Sequence, residues 1–324
     1  MEPVRVHGGI FYNGDCISGA QAHLPDGSVD LIITDPPYGI RGDTLHRHYN
    51  RNEQCVIPGY VEVPQEEYAD FSARWVREAE RVLRPGGSLY IISGYTNLYH
   101  LLHALKETSL AEVNHIVWKY SFGVFTRRKY VSSHYHILYY EKPGGRRTFN
   151  VESRFGLTER TDGGRSPNSQ DREDVWPINR VYKPGQQKNK NELPVALLVK
   201  MLQYSSNEGD LVCDFFLGGF STAQAAIGLN RRIVGFEISK EMFDAKVRQL
   251  RQLEPGYLLG SLRTPVPGHI KNQGMPWTAR ERTDLSLRYR ALCGQGLLKK
   301  TVISMLCEEF GRGRWAIEKA LRKL

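Results

Sequence analysis

Asp35-Pro36-Pro37-Tyr38 places a carboxylate, two residues without backbone donors and an aromatic ring in consecutive positions. Such a set could grip a planar –NH2 group. The carboxylate and a bare carbonyl would take its two hydrogens, and the Tyr ring would stack on the base that carries it. The tetrapeptide follows Val29-Asp30-Leu31-Ile32-Ile33-Thr34, a short apolar run of the kind that forms a fully buried strand. Open α/β sheets put their chemistry just past the carboxyl ends of strands. Taken alone, so short a motif is more often a strand-ending turn, whose Asp caps and whose Tyr packs, than a site. The rest of the chain has to decide.

A second constellation lies far downstream. Leu211 to Phe216 reads as a buried strand, and Gly218-Gly219 as a tight turn where backbone can approach a ligand. Ser221 or Thr222 is expected to cap a helix running through Ala223-Gln224-Ala225-Ala226-Ile227. Arg232 to Glu237 reads as the next strand, ending in an acid about 20 residues after the glycines, where nucleoside-binding βαβ units hold ribose hydroxyls. Ser239 then caps the following helix. Only two adjacent glycines occur, flanked by Phe216 and Phe220, too few bare amides for a pyrophosphate. A ligand with a nucleoside and an amino-acid arm fits better, and S-adenosylmethionine is one.

The elements that must position these groups follow from periodicity. Tyr68, Phe71, Trp75, Ala79 and Val82 fall at helical spacing, and Arg84-Pro85-Gly86-Gly87 stops that helix. Ser88 to Ser93 is the next apolar strand. In this order of motifs the chain resembles the amino-methyltransferases of DNA, in the permuted arrangement called the beta class, where the catalytic tetrapeptide precedes the cofactor turn. The resemblance covers roughly residues 8 to 250 as an ordered set. It implies an α/β fold: a circularly permuted, Rossmann-like methyltransferase sheet of seven mostly parallel strands with helices on both faces. Ile10 to Cys16, Val29 to Thr34 and Ser88 to Ser93 would be its third, fourth and fifth strands. Val113 to Tyr120 and Tyr135 to Glu141 would complete the far edge, and the strands at Asp214 and Glu237 would be the first and second.

The resemblance also implies roles. Asp35 and the Pro36 carbonyl would hold the target amino group, Pro37 would stiffen the turn, and Tyr38 would stack on the base. Asp214 and the turn of Phe216, Gly218, Gly219, Phe220, Ser221 and Thr222 would surround the methionine arm, with Asp35 bordering the same crevice. Glu237 would hold the ribose, and Asp15 with Cys16 would lie beside the adenine. Two departures stand out. Phe220 occupies the place of the last glycine in Phe-x-Gly-x-Gly, so either the methionine channel narrows or the backbone there needs no positive φ. The His-Pro-Thr-Gln-Lys-Pro-like segment reads Asn189-Lys190-Asn191-Glu192-Leu193-Pro194, which leaves Lys190 and Asn191 as cofactor contacts and Pro194 as the first helical residue.

An exocyclic amine is a poor nucleophile because its lone pair is delocalised into the ring. Two acceptors on its hydrogens redirect that pair toward a methyl sulfonium, so direct in-line transfer needs neither a covalent intermediate nor a metal. A target atom inside a duplex requires base flipping. Asp rather than Ser at the first motif position resembles adenine-N6 members. Cytosine N4 is the alternative. Relatives of this fold that modify RNA or a glutamine side chain form another. A different class remains open: a sequence-specific DNA-binding protein that Phe220 has left catalytically inactive.

Of the 324 residues, 40% are hydrophobic and the net charge is +9, which favours a polyanionic partner such as double-stranded DNA. No apolar run reaches membrane-span length and no signal peptide opens the chain, so the expected location is cytoplasmic, with the nucleoid. Five scattered cysteines show no CxxC pair or Cys/His spacing, which reads as reduced thiols with no metal site. Residues 1–256 are expected to form the catalytic domain. Within it, residues 118–190 form an inserted target-recognition region, where the resemblance implies that Arg127, Arg128, Lys129 and His134 lie near the DNA backbone, an exposed hairpin with solvated charges being the other reading. Thr158 to Asp174 reads as a mobile loop that orders on DNA. Residues 257–276 read as a linker and 277–324 as three helices. Thr278-Ala279-Arg280-Glu281 is a capping box, Leu285, Leu287, Tyr289 and Leu292 suggest a helix, and Gly311-Arg312-Gly313 is a turn. From Lys271 onward, twelve Lys/Arg stand against five Asp/Glu, so a helix-turn-helix with Arg312 and Arg314 on DNA is one reading and a docked helical hairpin the other. By resemblance, a homodimer and a cognate restriction endonuclease complete the partners.

Overall fold

The computed structural model describes residues 1–39, 63–121, 127–128, 130–180, 192–262, 272 and 275–322, so Lys129, Lys190 and Asn191 lie outside the described residues. The chain divides into two units, Met1–Arg263 and Thr264–Leu324.

The first unit is built on one sheet. Its strands are β1 (Pro3–Val6), β2 (Gly9–Asn13), β3 (Val29–Thr34), β4 (Leu83–Ser93), β5 (Ala111–Lys119), β6 (His134–Glu141), β7 (Val175–Pro177), β8 (Leu211–Asp214) and β9 (Arg232–Glu237). They lie in the order β1-β2-β9-β8-β3-β4-β6-β5-β7. The seven strands from β2 to β5 are those the resemblance implies, in a permuted methyltransferase order. Two edge strands make the sheet larger than expected. β1 pairs antiparallel with β2 through His7-Gly8, both at positive φ, a hairpin turn that a His in its first place conceals. β7 adds parallel to β5.

Helices cover both faces, which is why β3 is a continuous apolar run. Ile32 and Val29 pack with Trp75, Val76 and Ala79 of α2 (Tyr68–Val82), with α1 (Cys16–His23) and with α3 (Leu98–Lys106). Leu31 and Ile33 point the other way, toward α5 (Val195–Ser205), α6 (Ser221–Gly228) and α7 (Lys240–Leu250). The helix α2 ends at Val82 as its spacing predicts, but Arg84-Pro85-Gly86-Gly87 is not a free loop. It bulges within β4, shifting the register against β3 between Val29 and Leu31, while the Gly86 amide donates to the Lys142 carbonyl. Pro194 caps α5 from outside instead of starting it.

The segment expected as a mobile loop is partly built in. It contains α4 (Pro167–Asp171), and Asp171 accepts from Arg154 Nε (2.7 Å) and the Tyr204 hydroxyl (2.7 Å), with Lys200 at 3.5 Å. The first residues of the expected linker also belong to this unit, because Tyr257 and Leu258 fill the space where a Gly228 side chain would be.

The second unit holds α8 (Ala279–Gly294), α9 (Lys299–Phe310) and α10 (Arg314–Leu321) around Leu285, Leu292, Val302, Ile303, Leu306 and Ile317. The Thr278/Glu281 capping box is present, and Gly311 ends α9 in the left-handed region. Leu285 and Leu292 of α8 are buried and Leu287 is exposed, since it lies between the rows that those two occupy.

Candidate active site

The sheet delivers two turns to one place. β3 lies between β4 and β8, with Leu31 opposite Val212 and Ile32 opposite Cys213, so Asp35 and Asp214 end neighbouring parallel strands. Thr34 Oγ1 donates to Asp214 Oδ1 at 3.0 Å and ties the two strand tips together.

The first turn is held from several sides. The Tyr38 hydroxyl donates to Asp35 Oδ1 at 2.7 Å, and Asn97 Nδ2 donates to the Tyr38 carbonyl at 2.6 Å. Gly39 sits at φ +61°, and a Cβ there would meet the Tyr68 ring at 2.5 Å and Asn97 Nδ2 at 2.6 Å, so only glycine fits. Asp35 keeps part of its surface accessible, yet it is enclosed by protein. Desolvation pushes its carboxyl up to about 7 against the Tyr38 hydrogen bond, with Asp214 adding to the rise and Arg180 opposing it. The Tyr38 ring stacks on Tyr135, with centroids 5.7 Å apart.

The second turn is a brace around a carboxylate. Asp214 accepts from Thr34, from the Phe216 amide (3.0 Å) and from the Thr222 hydroxyl, while burial pushes its carboxyl up to about 6. Phe216 is fixed by Trp75, edge-on at 5.4 Å, and by Phe71 at 5.8 Å. Phe220 answers the question its position raises. Its φ is 59°, so the backbone does need the conformation that glycine supplies. Its ring is fully buried in the core beneath the turn, against Phe11 at 5.6 Å and Phe243 at 6.1 Å. Ser221 and Thr222 do not cap α6; the helix begins at Ser221 and Phe220 is its N-cap.

Glu237 ends β9 with both oxygens engaged, one by the Gly218 amide and one by the Ser239 amide, each at 2.8 Å. Burial raises its pKa, and those two amides oppose the rise. The Glu237 carbonyl takes Asn13 Nδ2 at 2.8 Å and the Gly14 amide at 2.9 Å, which brings the β2 tip alongside. There Asp15 caps α1, accepting from the Ser18 amide and hydroxyl, each at 2.8 Å. Cys16 is buried, and desolvation keeps its thiol protonated. The carboxylates of Asp35, Asp214, Glu237 and Asp15 thus follow one another along the tips of β3, β8, β9 and β2.

A family model described as DNA methylase, spanning N6 and N4 enzymes, matches residues 29–248. The chain belongs to the DNA methylase family. The methylase is 30% identical to the type II methyltransferase M.HpaI of Haemophilus parainfluenzae over 71% of each chain. It is 32% identical to M.BamHI of Bacillus amyloliquefaciens over 71% of this chain and 54% of that one. Two solved structures share its fold. A putative DNA modification methylase from Thermus thermophilus, complexed with S-adenosyl-L-methionine, has a TM-score of 0.52 at 21% identity, covering 74% of this chain and 92% of that one. The cytosine-N4-specific PvuII DNA methyltransferase has a TM-score of 0.56 at 16% identity, covering 76% and 86%.

The residues present fit S-adenosylmethionine, the ligand of the Thermus thermophilus structure. Ser221 Oγ is buried at the start of α6 with no hydrogen-bond partner among the described residues. The Glu237 carboxylate has lone pairs beyond the two that its amides use. A Cβ at Gly218 would meet nothing closer than 3.8 Å, so the turn stands open.

The residues expected on DNA separate into groups. Arg127 and Arg128 are exposed, and His134 is exposed at the start of β6, its ring 5.2 Å from that of His136. Arg314 is exposed and pairs with Glu318 at 2.9 Å. Arg312 does not fit the expectation. It is 4% exposed, donates to the Met275 and Pro276 carbonyls, pairs with Glu281 at 3.0 Å and lies 4.2 Å from the Trp277 ring centroid. Its guanidinium holds the second unit together. Conversely, the structure adds Thr34, Asn97, Tyr135 and Arg180 to the site residues that the sequence marks. Thr34 had the only polar side chain at the tip of an apolar run, which was a signal. The others are brought in by non-local strand pairing and left none.

Proposed function

We propose that the methylase transfers a methyl group to N6 of an adenine flipped out of double-stranded DNA, at a specific site. The observation that supports this most is the 3.0 Å bond between Thr34 and Asp214, which joins the tip bearing Asp35 to the tip bearing the open glycine turn. When bound, S-adenosylmethionine supplies an electrophilic methyl on a sulfonium. The Asp35 carboxylate and the Pro36 carbonyl accept the two amino hydrogens and turn the nitrogen lone pair toward that methyl. As the N–C bond forms, the S–C electrons return to sulfur. The amine then loses a proton, and a carboxylate whose pKa is raised to about 7 can take it. Tyr38 supplies the face on which the base stacks and so offsets the stacking lost in the duplex.

Adenine is favoured by Asp35 at the first motif position. The second unit, with its excess of basic residues, would add DNA contacts through Arg314. A restriction endonuclease as the cellular counterpart, the cytoplasm as the place of work and a homodimer as the assembly belong to the same reading. The deciding experiment incubates the full chain with unmethylated genomic DNA and methyl-labelled cofactor, followed by nuclease digestion and mass analysis of the nucleosides. Labelled N6-methyladenine at one mapped sequence is expected. Labelled N4-methylcytosine would move the substrate to the alternative, and cofactor binding without label in DNA would overturn the reading.

A further inference from the structure

Arg180 is a cation at the mouth of this site that forms no salt bridge among the described residues. Its guanidinium lies 5.5 Å from the Tyr120 ring centroid and 5.7 Å from that of Tyr135, the ring that stacks on Tyr38. The segment carrying it is pinned. Strand β7 pairs with β5, Trp118 Nε1 donates to the Ile178 carbonyl at 2.7 Å, the Ile178 amide donates to the Lys119 carbonyl at 3.0 Å, and the Ser121 amide donates to Asn179 Oδ1 at 3.2 Å. Trp118 in turn stacks on Tyr135 at 5.5 Å. A half-buried guanidinium is therefore fixed on an aromatic platform whose far member is the tyrosine of the catalytic turn.

Aromatic faces hold a guanidinium by its plane and leave its N–H groups directed outward. Those donors form a fork that matches the oxygens of a phosphate. A nucleotide whose base stacks at Tyr38 brings its own phosphodiester to the rim of the same platform. We infer that Arg180 binds the phosphodiester of the flipped nucleotide and thereby positions the base against Asp35 and Tyr38. This inference rests on the methyltransferase reading above. It adds an anion site that neither the catalytic motif nor the cofactor turn contains.

The test compares the wild type with Arg180→Gln and Arg180→Lys. The probe is an unmethylated duplex carrying the site mapped for the wild type, with S-adenosylhomocysteine present. For Arg180→Gln, DNA affinity is expected to fall about ten- to hundredfold, the size of one lost charge-assisted hydrogen bond. The slope of log K against log salt should flatten by about 0.9, one phosphate contact. Affinity for S-adenosylhomocysteine and the melting temperature should be unchanged. Arg180→Lys should restore the salt slope while recovering only part of the affinity, because a point charge replaces a fork. An unaltered DNA affinity and salt slope for Arg180→Gln would overturn the inference. So would a defect confined to the acid limb of the pH–rate profile, since that would limit Arg180 to its field on Asp35, alongside Tyr38 and Asp214. Failure of the methyltransferase reading would look different, because the wild type itself would leave no label in DNA.

Discussion

Asp214 is the last residue of β8 and Asp35 the first beyond the neighbouring β3, and burial raises the pKa of both, to about 6 and about 7. Their surroundings differ in one respect. Asp214 is surrounded by donors from Thr34, Phe216 and Thr222, and its acceptor capacity is spent inside the protein. Among the described residues, Asp35 takes one side-chain hydrogen bond, from the tyrosine of its own turn, and keeps the rest of its lone pairs for whatever enters. A raised pKa alone does not separate a working carboxylate from a structural one. The number of donors already in place does.

The largest effect should come from the carboxylate with spare capacity. Asp35→Ala is expected to lower methyl transfer by at least about a thousandfold, comparable to losing a principal polar contact to a transition state, while cofactor affinity measured by calorimetry stays within a few-fold. In the wild type, the rate should fall as pH drops through about 7, because a protonated carboxyl is a poorer acceptor for its amino hydrogen and cannot take the proton that the amine releases. Stability should run the other way. Asp35 has a folded pKa above its unfolded value, so its contribution is fully present below about pH 4 and is lost as pH rises through about 7. Asp35→Asn should therefore raise the melting temperature at pH 8 more than at pH 4, even as activity disappears. A melting temperature that drops equally at both would make Asp35 a brace like its neighbour.

Asp214→Ala should invert that pattern. Three donors lose their acceptor in a buried place, which costs on the order of 3 kcal/mol of stability. The glycine turn loosens with them, so cofactor affinity should fall together with the melting temperature. Retained stability with lost turnover alone would place Asp214 in the chemistry.

Much of this contrast was legible in the sequence. Strands β3 and β9, the helix α2 and the Thr278 cap follow from periodicity and capping, because both are local patterns. The order of motifs placed Asp35 and the glycine turn on one edge. Arg312 could not be read, since its burial depends on Trp277 and Glu281 closing over it, and a basic residue in a glycine turn looks the same whether it faces solvent or a cage. Arg180 and Tyr135 were hidden for a related reason: β6 and β7 bring them to the site through pairings that no local window contains.

Phe220 sharpens the second turn. Restoring the family's glycine relieves a left-handed backbone worth about 1–2 kcal/mol. It also empties a fully buried aromatic site, and losing a buried Phe costs about 3–5 kcal/mol. The second term wins, so Phe220→Gly should destabilise the protein by about 1–4 kcal/mol in denaturant melts. Because the ring lies in the core and not in the crevice, cofactor affinity should change little. A tighter cofactor would show that the ring does obstruct the methionine arm.

Thr34→Val probes the bond between the turns and should have the smallest effect. The swap keeps the shape and removes one hydrogen bond, a loss of about 1 kcal/mol. Asp214 retains the Phe216 and Thr222 donors, so the turn should hold and activity at pH 8 should be near normal. The informative change lies at lower pH. Without the Thr34 donor, the Asp214 carboxyl is protonated more readily, and a neutral Asp214 no longer pushes the Asp35 pKa upward. The acid limb of methyl transfer should therefore move to lower pH, opposite to the shift expected if the substitution detached Tyr38 from Asp35. A limb that stays in place would mean that the two carboxylates do not sense each other, and that strand pairing alone, without Thr34, brings the turns together.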